Sequence, residues 1–460
     1  MPLGSANRRL APAAELSSGG GNAETMKQTV CGWGRHPRIE ADVDLVRDLE
    51  GVRASLRDGK AAAIPRGAGR SYGDAALSRR VIGCQPLRHL LAFDPGTGLL
   101  HTQSGVTLDE VIRFALPRGW FLPVTPGTKF PTLAGCVAAD VHGKNHHGVG
   151  SLSAFVDRLE IVLADGCLVE CSRQHHAALF WATMGGMGLT GVVYSVHLRL
   201  QPVRSAFLHN VSIRTGDLAD TCRVLCDTQN EFPYSVAWID TLRRRGRGRG
   251  QVMLGTHAED NSLTPLHPPP RLAVPDLPFG LVARPGLRLF NVLNYRRQWR
   301  RRVATTVHYD PYFYPLDAVE GWNQLYGPRG FLQFQFAVPF ADGEAVMKTV
   351  LERTDRAAPC ALAVLKTFGD HPAGPLGFPL PGFTLALDFP RTDTIEDAVR
   401  AATDDVIAAG GRVYLAKDSV ITRDQFDAMY PRLEEFRRLR HEVDPQGRFR
   451  SVQSARLGLS

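Results

Sequence analysis

At 460 residues, with 44% hydrophobic and 22% charged side chains, the chain has a globular composition that excludes a disordered or membrane-spanning protein. Its length exceeds one ordinary core, so two domains are expected, and no apolar run reaches the ~18 residues of a membrane span. The net charge of +8 favours anionic partners.

Residues 1–26 are small, polar and Gly/Ala-rich and read as a disordered extension, with Met26 as an alternative start. No hydrophobic region follows Arg8-Arg9, so neither a secretory nor a twin-arginine signal is expected. A cytoplasmic location, or one peripheral at the inner membrane, is the corresponding expectation. Residues 27–203 alternate short apolar runs with Gly-rich turns, the pattern of a first folded domain. Within it Ala61–Gly67 reads as a strand entering a loop, and His101–Gly119 as a strand followed by a helix with Thr107 as N-cap. Arg158–Cys171 reads as a hairpin turning at Ala164-Asp165-Gly166, and Gly191–Val203 as a strand leaving the domain.

After Pro202 the texture changes. Pro265, Pro268, Pro269, Pro270, Pro275 and Pro278 mark a long loop. Strand-like runs at Phe331–Phe340, Cys360–Phe368 and Phe383–Pro390 alternate with helical patterns at Gly343–Thr354 and Thr394–Gly411, predicting a second α+β domain on an antiparallel sheet over 204–411. Residues 412–460 read as a strand and a helical region able to close either domain. Cys31, Cys84, Cys136, Cys167, Cys171, Cys222, Cys226 and Cys360 lack zinc-knuckle or redox spacing, so reduced, packed thiols are expected. Two arginine clusters stand out: Arg243, Arg244, Arg245, Arg247 and Arg249, then Arg296, Arg297, Arg300, Arg301 and Arg302. They read as solvated loops or as a face for a lipid phosphate or acidic membrane surface. Without a reading helix or an aromatic RNA-binding motif, nucleic acid is not expected.

Three segments carry chemistry. In Pro65–Ala75, three glycines and Ser71 let backbone N–H groups approach a ligand, as in a pyrophosphate cradle, without Rossmann or Walker spacing. In Pro126–His147, the small residues from Thr132 to Ala139 suit backbone packed on a flat ligand. The string His142-Gly143-Lys144-Asn145-His146-His147 adds donors and a titratable imidazole. Zinc binding by His142 and His146 would need a helix, which Gly143 and Gly148 oppose, so no metal is expected. Phe180–Val193 places four glycines in tight turns before a strand.

Jointly these strings closely resemble the FAD-binding domain of the vanillyl-alcohol-oxidase superfamily, of p-cresol-methylhydroxylase type. They are most similar to its branch that oxidises a polyprenylphosphoryl ribose. Gly32-Trp33-Gly34-Arg35, Phe331–Phe336 and Met429-Tyr430-Pro431-Arg432 extend the likeness over nearly the whole chain. The resemblance implies a two-domain α+β fold: an FAD-binding domain (27–203), an antiparallel-sheet substrate domain (204–411), and a C-terminal segment (412–460) returning to the FAD domain.

The FAD contacts it implies are Pro65, Arg66, Gly67, Ala68, Gly69, Arg70, Ser71, Tyr72, Gly73, Asp74, Ala75, Gly127, Thr132, Leu133, Ala134, Gly135, His142, Gly143, Lys144, Asn145, Val193 and Tyr414. Many members attach FAD through the histidine of a Gly-His-Ser string. Gly69-Arg70-Ser71 stands there, so non-covalent FAD is implied. Around the substrate it implies Lys144, Trp238, Gln333, Gln335, Lys366, Phe368, Thr384 and Ala386. Lys417 is implied as the base or hydroxyl anchor, with Tyr72 and His142 orienting the sugar and Lys144 and Lys366 available to a phosphate. Read from its neighbours alone, Lys417 is equally a surface lysine paired with Asp418.

The implied reaction turns the 2′-hydroxyl of a polyprenylphosphoryl-β-D-ribose into a ketone. A separate NADH-dependent short-chain reductase would then complete epimerisation to the arabinose form. By resemblance the periplasmic face of the inner membrane is a further location. An FAD-dependent oxidase of a soluble sugar, alditol or nucleoside is the alternative. The chain departs from the branch at Thr384-Leu385-Ala386 (Asn-x-Cys there), at Met187 (asparagine) and at Phe313-Tyr314 (Tyr-His). These changes spare the flavin strings and leave the substrate open.

Overall fold

A computed structural model describes residues 24–57, 61–243, 246–265 and 272–459. Its first sheet contains β1 (Glu24–Cys31), β2 (Arg38–Leu45), β3 (Ile64–Arg66) and β4 (Arg80–Gly83) in the order β1-β2-β4-β3, parallel except for β1 against β2. The second is antiparallel: β5 (Leu90–Asp94), β6 (Leu99–Gln103), β7 (Val156–Val162), β8 (Leu168–Ser172) and β9 (Val192–Arg199), ordered β5-β6-β9-β7-β8. The Thr107 cap is present as a full capping box with Glu110, starting the helix Leu108–Ala115. The predicted hairpin is β7–β8, turned at Gly166 with φ +86°.

The third sheet is the largest and wholly antiparallel. It joins β10 (Phe207–Thr215), β11 (Tyr234–Asp240), β12 (Arg249–His257), β13 (Arg302–His308), β14 (Phe331–Pro339), β15 (Leu362–Phe368), β16 (Gly382–Pro390) and β17 (Arg412–Val413). Their order is β13-β10-β12-β11-β15-β16-β14-β17. The helices Phe340–Ala357 and Asp393–Ala408 bury Met347, Val350, Leu351, Val399 and Val406 in the core beside it. That core also takes in Val43 of the first sheet and Phe426 and Phe436 of the C-terminal helices. A second core under β5–β9 includes Tyr309–Tyr314. The chain's end packs on the first sheet, where Phe449 pairs with Ala63 and Val452 N–H donates to Leu77 O at 2.8 Å.

Several expectations change. Residues 24–26 belong to β1, where Met26 pairs with Val43; the rest of the supposed extension lies outside the described residues. β9 is the central strand of its sheet, between β6 and β7, and from it the chain leaves for β10 of the third sheet, as expected from the sequence. The third sheet runs past residue 411, since Val413 pairs with Phe336. Pro268, Pro269, Pro270, Arg244 and Arg245 lie outside the described residues. In the first arginine cluster Arg243 is exposed, whereas Arg249 is buried against Asp240 at 2.8 Å and Arg247 meets Asp355 at 3.4 Å. His146–Val149 forms one helical turn despite Gly148.

Candidate active site

The loop Pro65–Ala75 is clamped from two sides. Trp33 N–H donates to Ser71 O at 2.7 Å and Gly34 N–H to Tyr72 O at 3.1 Å, while Tyr72 N–H donates to Ala416 O at 3.1 Å. Glycine is required where the clamp closes, because a Cβ on Gly73 would sit 1.8 Å from Asp418 O. Gly69 adopts φ +63° beneath the Arg66 guanidinium, which holds Cys31 O and Ala76 O. The loop is thereby fixed by backbone on both flanks, leaving its inner edge to face a cavity of about 700 Å³.

Opposite the loop, one face of the third sheet forms the cavity floor. Gln251, Trp238, Val364, Ala386 and Gln335 are successive cross-strand neighbours on β12, β11, β15, β16 and β14. Period-two alternation puts Thr384 and Asp388 on the same face of β16, and Gln333 beside Asp388 on β14. His142 is held at both ring nitrogens, with Lys366 Nζ 2.9 Å from Nδ1 and Gln335 Nε2 3.0 Å from Nε2. Gln335 also donates to Thr384 Oγ1 at 3.2 Å. Burial, then Lys366, pushes the His142 imidazole well below the usual histidine range, so the ring is neutral.

Three lysines share this space. Lys144 donates to Tyr312 O, and burial followed by the charge of Lys366 lowers its pKa to about 7. Burial lowers Lys366 to about 7 as well. Lys417 lies over the Tyr72 ring, Nζ 3.4 Å from the centroid. Burial lowers its pKa, opposed by Asp388 and assisted by Lys366. Asp388, fully buried and bonded by Gln333, is raised for the same reason. The surface reading of Lys417 fails: Asp418 pairs instead with Arg456 at 2.8 Å, because the backbone turn points the two side chains apart.

Among the implied FAD residues, Pro65 to Tyr72, Ala75, Gly127, Thr132, Ala134, Gly135, His142, Lys144, Val193 and Tyr414 line the cavity. Five do not, and each has a structural task. Gly73 packs on Asp418, Asp74 binds Arg456 at 2.9 Å, and Leu133 is buried in a core. Gly143 O accepts from Lys366, and Asn145 donates to Pro123 O at 2.8 Å. Of the implied substrate residues, Trp238, Gln333, Gln335, Lys366 and Ala386 line it, as do Lys144 and Lys417. Phe368 sits behind His142, its centroid 4.8 Å away, and Thr384 behind Gln335. His146 and His147 turn to Gly369 N–H and Phe232 O, away from His142. Sequence reasoning missed Asp388, Asp317 and Trp322. The alternation Thr384, Ala386, Asp388 in β16 was the available signal for the first.

The lining suits FAD. Bare glycine backbone borders it, and a Cβ at Gly127 would meet nothing within 4 Å. Its charged lining is Arg66, Arg70, Lys144, Arg297, Lys366 and Lys417 against Asp317 alone, a balance fit for a pyrophosphate. Arg70 stacks on Trp33 at 4.2 Å and Phe130 at 5.1 Å.

A model of the FAD binding domain matches residues 43–172, and one of D-arabinono-1,4-lactone oxidase matches residues 389–457. Together with the cavity they define an FAD-dependent oxidase of the vanillyl-alcohol-oxidase superfamily. The chain is 34% identical to decaprenylphosphoryl-β-D-ribose oxidase of Mycolicibacterium smegmatis over 95% of this chain and 98% of that protein, and it belongs to that protein's family. An uncharacterised Streptomyces coelicolor protein is 37% identical over 77% of this chain and all of its own length. Alditol oxidase of a Streptomyces species is 26% identical over 75% of this chain and 78% of that one.

Proposed function

We propose that the protein oxidises the 2′-hydroxyl of a polyprenylphosphoryl-β-D-ribose to the 2′-keto sugar, the first half of epimerisation to the arabinose form. The observation that carries this reading is Lys417, an amine of lowered pKa stacked on Tyr72 within a cavity holding two further lysines. The loop from Pro65 to Tyr72 would hold FAD without a covalent link at Arg70, and the flavin would supply the hydride acceptor. Neutral Lys417 takes the hydroxyl proton. Asp388, fixed by Gln333, faces the resulting ammonium and balances its charge. Tyr72 holds Lys417 in place by ring contact, and the doubly bonded His142 presents a rigid wall to the sugar. Lys144 and Lys366, both on the cavity lining, would meet the phosphate.

The keto product calls for a separate NADH-dependent reductase, and a lipid-linked substrate calls for a protein peripheral to the inner membrane. No helix among the described residues is long and apolar enough to cross one. The test is anaerobic mixing of the FAD-loaded protein with polyprenylphosphoryl ribose and, separately, with alditols, following bleaching of the visible flavin band. Bleaching by the ribosyl lipid is expected. Bleaching by alditols alone would establish instead the oxidation of a soluble polyol, the reading to which Ala386 and the likeness to alditol oxidase lend support.

A further inference from the structure

The helix Arg284–Arg296 is built inside out. Towards the third sheet it turns polar side chains: Asn291 is buried and donates to Asp240 Oδ1 at 2.9 Å, and Tyr295 Oη donates to Thr215 O at 3.0 Å. Towards solvent it turns Leu289, Phe290 and Leu293, an i, i+1, i+4 stripe on one face, each more than half exposed. Trp299 follows at 87% exposure. Of the twelve exposed large apolar side chains among the described residues, seven lie between Leu272 and Trp299. A soluble surface does not gather them this way without an occupant.

Two observations identify that occupant. Arg288, Arg296, Arg297, Arg300 and Arg302 are exposed around the stripe, and among the described residues none has a carboxylate in ion-pair range. The same helix also forms the rim of the active-site cavity, which Phe290, Asn294 and Arg297 line. We infer that this face docks on an anionic phospholipid bilayer, with Leu289, Leu293 and Trp299 entering the interface and the arginines meeting lipid phosphates. Docking sets the cavity mouth against the membrane, so a prenyl tail passes from bilayer to pocket over Phe290 without crossing water. The delivery role rests on the function proposed above; the docking itself does not.

The test uses the FAD-loaded full chain and floats it with vesicles of phosphatidylcholine alone or mixed with phosphatidylglycerol. The expected result is co-flotation with the anionic vesicles, a blue shift of tryptophan emission that Trp299→Phe removes, and release by salt. Leu289→Ser with Leu293→Ser should lower vesicle affinity at least about tenfold, from the lost apolar burial. Turnover of a short-chain, water-soluble prenylphosphoryl ribose should be unchanged in that variant, while turnover of vesicle-borne substrate falls. Wild-type protein that ignores anionic vesicles, or a double variant that binds them equally well, overturns the proposal. A dimer that the double substitution splits, in a protein that does not float, would assign the face to a second copy instead. Flotation by a protein inactive on both substrates would sustain docking and overturn only the proposed reaction.

Discussion

Burial, helped by Lys366 and opposed by Asp388, makes the Lys417 ammonium give up its proton more readily than a surface lysine does. With the neutral amine as the proposed base, kcat should rise as pH climbs through that lowered pKa and then level off. Lys417→Gln should lower kcat by about 10²–10⁴-fold and abolish the rising limb of the pH profile. Lys144 and Lys366 work in the opposite sense. Both lose charge above about 7, so KM for a phosphorylated substrate should increase there. At Ala386 the floor carries a methyl group where the related branch has a thiol. The cysteines that do line the cavity are poor nucleophiles, because burial pushes Cys84 up to about 12 and Cys136 higher still. A cavity-directed thiol reagent should therefore leave the wild type unmodified and active, whereas Ala386→Cys should gain a single adduct by intact mass.

The elements that position these side chains differ in how far the sequence reveals them. The hairpin at Gly166 and the capped helix after Thr107 follow from local chemistry, and so do β14 and β16 with their helices, as runs of clean periodicity. The registers that bring Gln335, Ala386, Val364 and Trp238 side by side do not, since strands far apart in sequence meet only through the tertiary fold. The glycine strings marked backbone that borders the cavity, and the resemblance supplied the expected ligand. Asp74 sits inside such a string, yet it is off the cavity lining and bonds Arg456, 382 residues away. Arg456 bridges two buried carboxylates, Asp74 at 2.9 Å and Asp418 at 2.8 Å. Arg456→Ala leaves both without their cation, and should lower stability by about 3–5 kcal/mol in urea denaturation. It should also speed FAD release, because Asp418 backs the loop at Gly73.

At the scale of the whole molecule, the cofactor loop and the sheet floor enclose one cavity whose charge is almost entirely cationic. With Arg70 at the place of the linking histidine, the flavin is held by shape, backbone and charge alone. Acid precipitation should leave the flavin in the supernatant and a pellet without colour. High salt should weaken rebinding of FAD to the apoprotein, as it screens the contacts to the pyrophosphate.

The bond between Asp74 and Arg456 joins residues 382 positions apart. During synthesis the glycine-rich loop emerges 382 residues before its brace and stays unbraced until Arg456 has left the ribosome. Stalled or truncated products therefore carry the cradle but not its brace. Chains that stop short of Arg456 should retain less flavin per chain than full-length ones after FAD loading.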